Sequence, residues 1–254
     1  MKTCFFTILQ SGYKNCVQYD LFEQSFKHFH PDVPLFVVGD EDIKKLYAKT
    51  PGLDMYKIKA SAASLFYNDY DLVVNIDADH FIFGRMEEIL AGDFDVAAPS
   101  NFNLYENVHL TIESYKGVTY NIVPQLQYIQ AGLIASTSKD FWKTYEKASL
   151  QHANHMMCRD NDVLNMVLQF GNYNFKLLDG DYHPMSADRK CFYGCSSLNL
   201  ENQCIISSDE PRILNKPVRC YHVARGEGAA KPKFNQLFNA DVVNWLYERI
   251  KYKL

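Results

Sequence analysis

The chain has 254 residues, 47% of them hydrophobic, with 17 Tyr and 17 Phe; that is material for a sizeable core and excludes wholesale disorder. A net charge of −4 gives no electrostatic case for nucleic acid as the main partner. No apolar run approaches the roughly 20 residues of a membrane span, and strand-like sequence begins at Thr3, so the expectation is a cytoplasmic protein without leader or anchor.

Strand-like and helix-like segments alternate along the chain. Cys4 to Leu9 reads as a strand, followed by an amphipathic helix with Val17, Leu21, Phe22, Ser25, Phe26 and Phe29 on one face. Pro34 to Gly39 is a second strand, and Asp42 to Tyr47 a short helix. The run Leu72-Val73-Val74-Asn75-Ile76 reads as a buried central strand. Glu87 to Leu90 is a helical turn closed by Gly92, and Asp95 to Pro99 another strand. Tyr128 to Ala135 is strand-like; Thr137 with Asp140 forms a capping box for a helix through Trp142 and Tyr145. Asp160 to Phe170 is a further helix stopped by Gly171. Phe175 to Leu178 and Val218 to Val223 are late strands, and Asp241 to Ile250 a closing helix. This order predicts one α/β domain over residues 1–254, with a Rossmann-like sheet, mostly parallel and mixed in its second half.

The central strand ends in Asp77-Ala78-Asp79. Residues i and i+2 of an extended strand point the same way, so both carboxylates face one spot beyond the strand end. Two carboxylates that close repel unless a cation or proton sits between them. Oxygen ligands suit magnesium or manganese, and the carboxyl ends of strands are where α/β sheets bind ligands. Alone, the pair could equally be an acidic turn.

Three other stretches can carry chemistry. His222 stands at a strand end before a glycine-rich loop with Gly226 and Lys231, which together offer a metal ligand, backbone amides and a cation to a diphosphate. Arg159-Asp160-Asn161-Asp162 opens a helix, where acidic residues also serve as caps. Gln130-Ala131-Gly132 places an amide in an apolar strand, either as a core hydrogen bond or as a substrate contact. Seven scattered cysteines fit reduced thiols; Cys191, Cys195 and Cys204 with His183 match no common zinc spacing. Tyr13, Tyr67, Phe102 and Tyr105 are as readily core as stacking platforms, and His28, His30, His152 and His155 show no partner pattern.

Asp77-Ala78-Asp79, Gln130-Ala131-Gly132, Asp160-Asn161-Asp162-Val163-Leu164-Asn165 and the loop from His222 to Pro232 occur in the order found in glycosyltransferases of the GT-A fold. They resemble the glycogenin-like group, glycosyltransferase family 8. The resemblance implies a metal-dependent hexosyltransferase that moves a sugar from a UDP-sugar to a hydroxyl acceptor, with retention. It implies that Asp77, Asp79 and His222 hold manganese or magnesium, that Lys231 and Gly226 contact the diphosphate, and that Thr7 and Tyr13 cover the uridine. Ala78 lies within the donor motif. Asp160, Asn161 and Gln130 would line the reaction centre, with residues 1–100 as the nucleotide half and 101–254 as the acceptor half.

Gln130 stands where the family has Asn, and Asn161 where it has Gln; the His222 loop is longer before Lys231. Lys57 and Lys59 are the candidates for a basic residue the family places ahead of the Asp pair. The alternatives are an inverting relative with Asp160 as general base, and a non-catalytic sugar-nucleotide or glycan-binding module. A haloacid-dehalogenase-type phosphatase fits poorly, because its nucleophilic Asp follows the first strand and leads into Gly-Thr. A nucleotidyltransferase would need a glycine- and arginine-rich N-terminal loop.

Overall fold

A computed structural model describes residues 1–10, 17–82, 84–99, 111–113, 119–121, 129–155, 159–178, 204–206, 211–213, 216–217 and 219–222. In chain order these hold β1 (Thr3–Ile8), α1 (Val17–Phe29), β2 (Leu35–Val38), α2 (Asp40–Lys49), α3 (Ile58–Ala63), β3 (Leu72–Ile76), β4 (His80–Ile82), α4 (Glu87–Leu90) and β5 (Val96–Pro99). They continue with β6 (Thr111–Glu113), β7 (Thr119–Asn121), β8 (Leu133–Ser136), α5 (Lys139–His152), a 3-10 turn (Ala153–His155), α6 (Arg159–Phe170) and β9 (Phe175–Leu178). Last come β10 (Cys204–Ile206), β11 (Pro211–Ile213), β12 (Lys216–Pro217) and β13 (Cys220–His222). The predicted closing helix, Asp241 to Ile250, lies outside the described residues.

Six strands form the main sheet in the order β2-β1-β3-β8-β5-β9. β1 runs parallel to both β2 and β3, and β5 parallel to β9. β8 lies antiparallel to β3 on one side and to β5 on the other. The sheet is mixed and mostly parallel, as the alternation of segments predicts. Every residue of β3 is buried, which fits its apolar run and its place between two other strands.

Alternation along the strands divides the core into two layers. Cys4, Phe6, Val73 and Ile134 face α2, α3, α5 and α6, where Ile43, Ala62, Trp142, Tyr145 and Leu164 meet them. Phe5, Val74, Ile76 and Ala135 face Phe22 and Phe26 of α1 and Ile89 of α4. Thus the sheet is covered on both faces, as parallel strands require. Cys4 is buried in the first layer, and burial pushes its thiol up to about 12.

Two local expectations are corrected. Of the strand expected over 128–135, the described residues 129–135 do not form one strand, because Ala131 and Gly132 make a turn and β8 starts only at Leu133. The cap of α5 is Ser138, whose side chain accepts from the Phe141 N–H; Thr137 instead donates its hydroxyl to the Phe94 carbonyl. One helix, α3, carries no signal in the apolar pattern, since Ile58-Lys59-Ala60-Ser61-Ala62-Ala63 is a short run of small residues.

Candidate functional site

β3 delivers Asp77 to the end of the sheet. The Asp77 N–H donates to the Gly132 carbonyl at 2.8 Å, which carries the β3–β8 pairing one residue past Ile76 and Leu133. The chain then turns back: the His80 N–H donates to the Asp77 carbonyl at 3.2 Å, and the His80 Nδ1 lies 2.9 Å from the same oxygen. An imidazole proton on Nδ1 satisfies that contact and fixes the tautomer. His80 is fully buried, so the turn that holds Ala78 and Asp79 is anchored from beneath. The Asp79 carboxylate stands 4.0 Å from the His80 Nδ1.

β4 leaves this turn and pairs antiparallel with β13, and the register sets His222 opposite His80. The late strand therefore returns to the Asp77–Asp79 turn, as a shared site would require. The side chain of His222, together with Tyr13, Gly226 and Lys231, lies outside the described residues.

Lys59, on the first turn of α3, joins the site from the layer below. Its Nζ lies 2.9 Å from the Asp77 Oδ2, 3.0 Å from the Asp160 Oδ2 and 3.0 Å from the Ala131 carbonyl. Burial opposes the ammonium charge, yet Asp160 and Asp77 outweigh it and raise the Lys59 pKa above its ordinary value. A cation shared by two carboxylates and a carbonyl is fully engaged, with three donors meeting three acceptors. Lys57, the other candidate, is buried and turned away, bound to Asp54 at 2.9 Å and to the Gly52 carbonyl at 2.8 Å.

α6 supplies Asp160 and Asn161 from its first turn. The Tyr145 hydroxyl of α5 donates to the Asp160 carbonyl at 3.1 Å. The Asn161 Oδ1 accepts the Ala131 N–H at 2.8 Å, and Asn165 one turn later brackets Ile129 through both its N–H and its carbonyl at 2.8 Å. Two amides of one helix thus hold the irregular stretch 129–132 in place. Gln130, on that stretch, is buried, and its N–H donates to the Pro99 carbonyl. Arg159, just ahead of Asp160, has a backbone φ of 40°, a left-handed conformation that costs a non-glycine residue about 1 kcal/mol or more.

Thr7 is buried one residue past Phe6, which pairs with Asn75 of β3, so it lies at the same end of the sheet as Asp77. The Thr7 hydroxyl and both amide atoms of buried Asn75 have no hydrogen-bond partner among the described residues. Asn75 shares the strand face of Asp77 and was missed by sequence reasoning, although a lone amide inside an apolar strand was the available signal. Lys59, among the loose basic candidates, takes the position that joins Asp77 to Asp160.

Asp77 and Asp79 are partly exposed, at 28% and 19% for their side chains, and offer hard oxygen donors at a strand end, which fits magnesium or manganese. Among the described residues no group of three His, Cys, Asp or Glu is placed to complete a cluster. Also among them, no helix is long and apolar enough to cross a membrane.

No family model matches this sequence, and no curated protein matches it either. Solved structures do. The galactosyltransferase LgtC in complex with donor and acceptor sugar analogues superposes with a TM-score of 0.58 at 16% identity, over 97% of this chain and 95% of that one. An active-site mutant of LgtC gives 0.56 at 14% identity, with the same coverage. The WbbM bifunctional glycosyltransferase gives 0.60 at 14% identity over 89% of this chain, which spans 46% of that protein. With its mixed, mostly parallel six-stranded sheet covered by helices, this chain has the GT-A fold of the glycosyltransferases it resembles.

Proposed function

We propose that this protein is a metal-dependent glycosyltransferase that moves a hexose from a UDP-sugar to a hydroxyl acceptor with retention of configuration. The observation that supports it most is the convergence of Asp77 and Asp160 on one lysine, Lys59, at the carboxyl end of β3 in a GT-A fold. Asp77, Asp79 and His222 would hold manganese or magnesium. Bound there, the cation supplies positive charge beside the diphosphate as the sugar departs. In the transfer, the bond from the anomeric carbon to the diphosphate oxygen breaks and a bond to the acceptor oxygen forms. The acceptor proton passes to the departing diphosphate.

The chain's own residues orient and screen. Lys59 keeps two carboxylates close without repulsion, so Asp160 stands at a fixed place beside the donor-binding turn. Lys231 and Gly226 are proposed at the diphosphate, Thr7 and Tyr13 at the uridine, and Gln130 at the sugar. Asp160 is held by Lys59 at 3.0 Å, an engagement that suits an orienting group better than a general base and favours retention over inversion. Asn161 has its oxygen committed to Ala131, so its part at the reaction centre is to shape the 129–132 stretch. That commitment also favours the second reading, a sugar-nucleotide-binding module that no longer turns over.

The test is UDP release from a panel of UDP-sugars, with and without manganese, for the protein and its Asp79→Ala variant. Manganese-dependent release from one donor, reduced at least about a hundredfold in the variant, is the expected result. Tight UDP binding without release from any donor would select the binding module. No release and no manganese-enhanced UDP binding would overturn both.

A further inference from the structure

Two ties join the segment that opens α3 to the segment that opens α6. One is the Lys59–Asp160 ion pair described above. The other is at the surface, where the Arg159 guanidinium lies over the Tyr56 ring with its central carbon 3.7 Å from the ring centroid. Lys59 follows Tyr56 by three residues, and Arg159 directly precedes Asp160. The Tyr56 side is rigid. Its N–H donates to the Asp54 Oδ1 at 2.9 Å, the Lys57 N–H closes a turn on the Asp54 carbonyl, and the Lys57 ammonium pins the same turn from inside. The Arg159 side is strained, since it is the one non-glycine residue with positive φ among those described.

A left-handed residue persists where its surroundings hold it there. Here the stack does so: a planar cation on an aromatic face, beside the carboxylate whose position matters. We infer that Arg159 is a positioning residue, kept left-handed by its stack on Tyr56 so that Asp160 meets Lys59. It acts through Asp160 and touches no substrate. The inference rests on the proposed transfer reaction only for its effect on activity; the geometry it claims can be read without any turnover.

The experiment compares Tyr56→Phe, Tyr56→Ala, Arg159→Ala and the Tyr56→Ala/Arg159→Ala double variant. The first readout is the rate at which an amine-reactive acylating reagent labels Lys59, followed by mass spectrometry, with buried Lys57 as internal control. Both alanine variants are expected to label Lys59 about threefold faster or more while Lys57 stays as in the parent, and the double variant to match either single one. Tyr56→Phe, which keeps the ring, should label as the parent does. The second readout is donor turnover, where kcat should fall about fivefold in the alanine variants with KM for the UDP-sugar little changed. Unchanged Lys59 labelling, equal acceleration at Lys57, or additive effects in the double variant would overturn the inference. Faster Lys59 labelling in a protein that releases no UDP would uphold the positioning and remove the transfer reaction instead.

Discussion

Single residues decide the character of this site. Asp77, Asp79 and Asp160 are picked out in the sequence by their place after a buried strand and at the start of a helix, where an acidic turn and a cap are the other readings. Lys59 stands there only as a loose basic candidate beside Lys57, because a lysine in a short run of small residues looks like a solvated face until the fold aims it inward. His30 is a second hidden residue. It accepts the Met86 N–H on Nε2 at 3.0 Å and is buried, and that burial, with Arg85 near, lowers its pKa to about 4. The folded protein therefore holds His30 neutral where the unfolded chain already binds a proton. The stability this contributes is complete above the unfolded value of about 6.5 and is lost as pH falls toward 4, amounting to roughly 3 kcal/mol. Melting followed between about pH 7.5 and about pH 4.5 should show a steeper loss for the parent than for His30→Gln, whose amide oxygen can still accept from Met86. Parallel curves would mean that other groups set the acid limit.

Among the elements, α1, α2, α6 and the strands of the main sheet follow from apolar spacing, with boundaries off by a residue or two. Two departures have local causes. The 128–135 run looks like a strand because Ile129, Leu133, Ile134 and Ala135 are all apolar, yet Ile129 and Ala131 are held by Asn165 and Asn161 of α6, and the Gln130 N–H on the Pro99 carbonyl is its tie there to β5. No pattern within the run could reveal a clamp thirty residues away. At α5 the choice between Thr137 and Ser138 is one residue of backbone geometry, and Ser138 wins because its side chain reaches the Phe141 N–H at 3.1 Å. Ser138→Ala should lower stability in urea by about 1 kcal/mol, while Ser138→Asp retains the acceptor and should cost little. Equal losses in both variants would rule out the cap as the cause.

At the scale of the whole molecule, the alternation of strands and helices made the α/β class and the mixed sheet legible, but not the strand order. The position of β8 between β3 and β5 comes from pairing across some sixty residues of sequence, which periodicity does not encode. Residues 1–100 contain β1, β2, β3 and β5 yet lack the strand between β3 and β5. A 1–100 fragment is accordingly expected to show no cooperative unfolding by circular dichroism, and a sharp thermal transition would contradict that. The direction of β8 has a consequence of its own. Parallel strands offer their ligand-binding pole only the residues that follow them, whereas β8, running the other way, offers the residues that precede it. One pole thus receives chain both leaving and arriving, and the arriving chain is not obliged to continue into a crossover. Residues 129–132 therefore reach that pole ahead of their strand, while the acidic turn after β3 keeps its own framework.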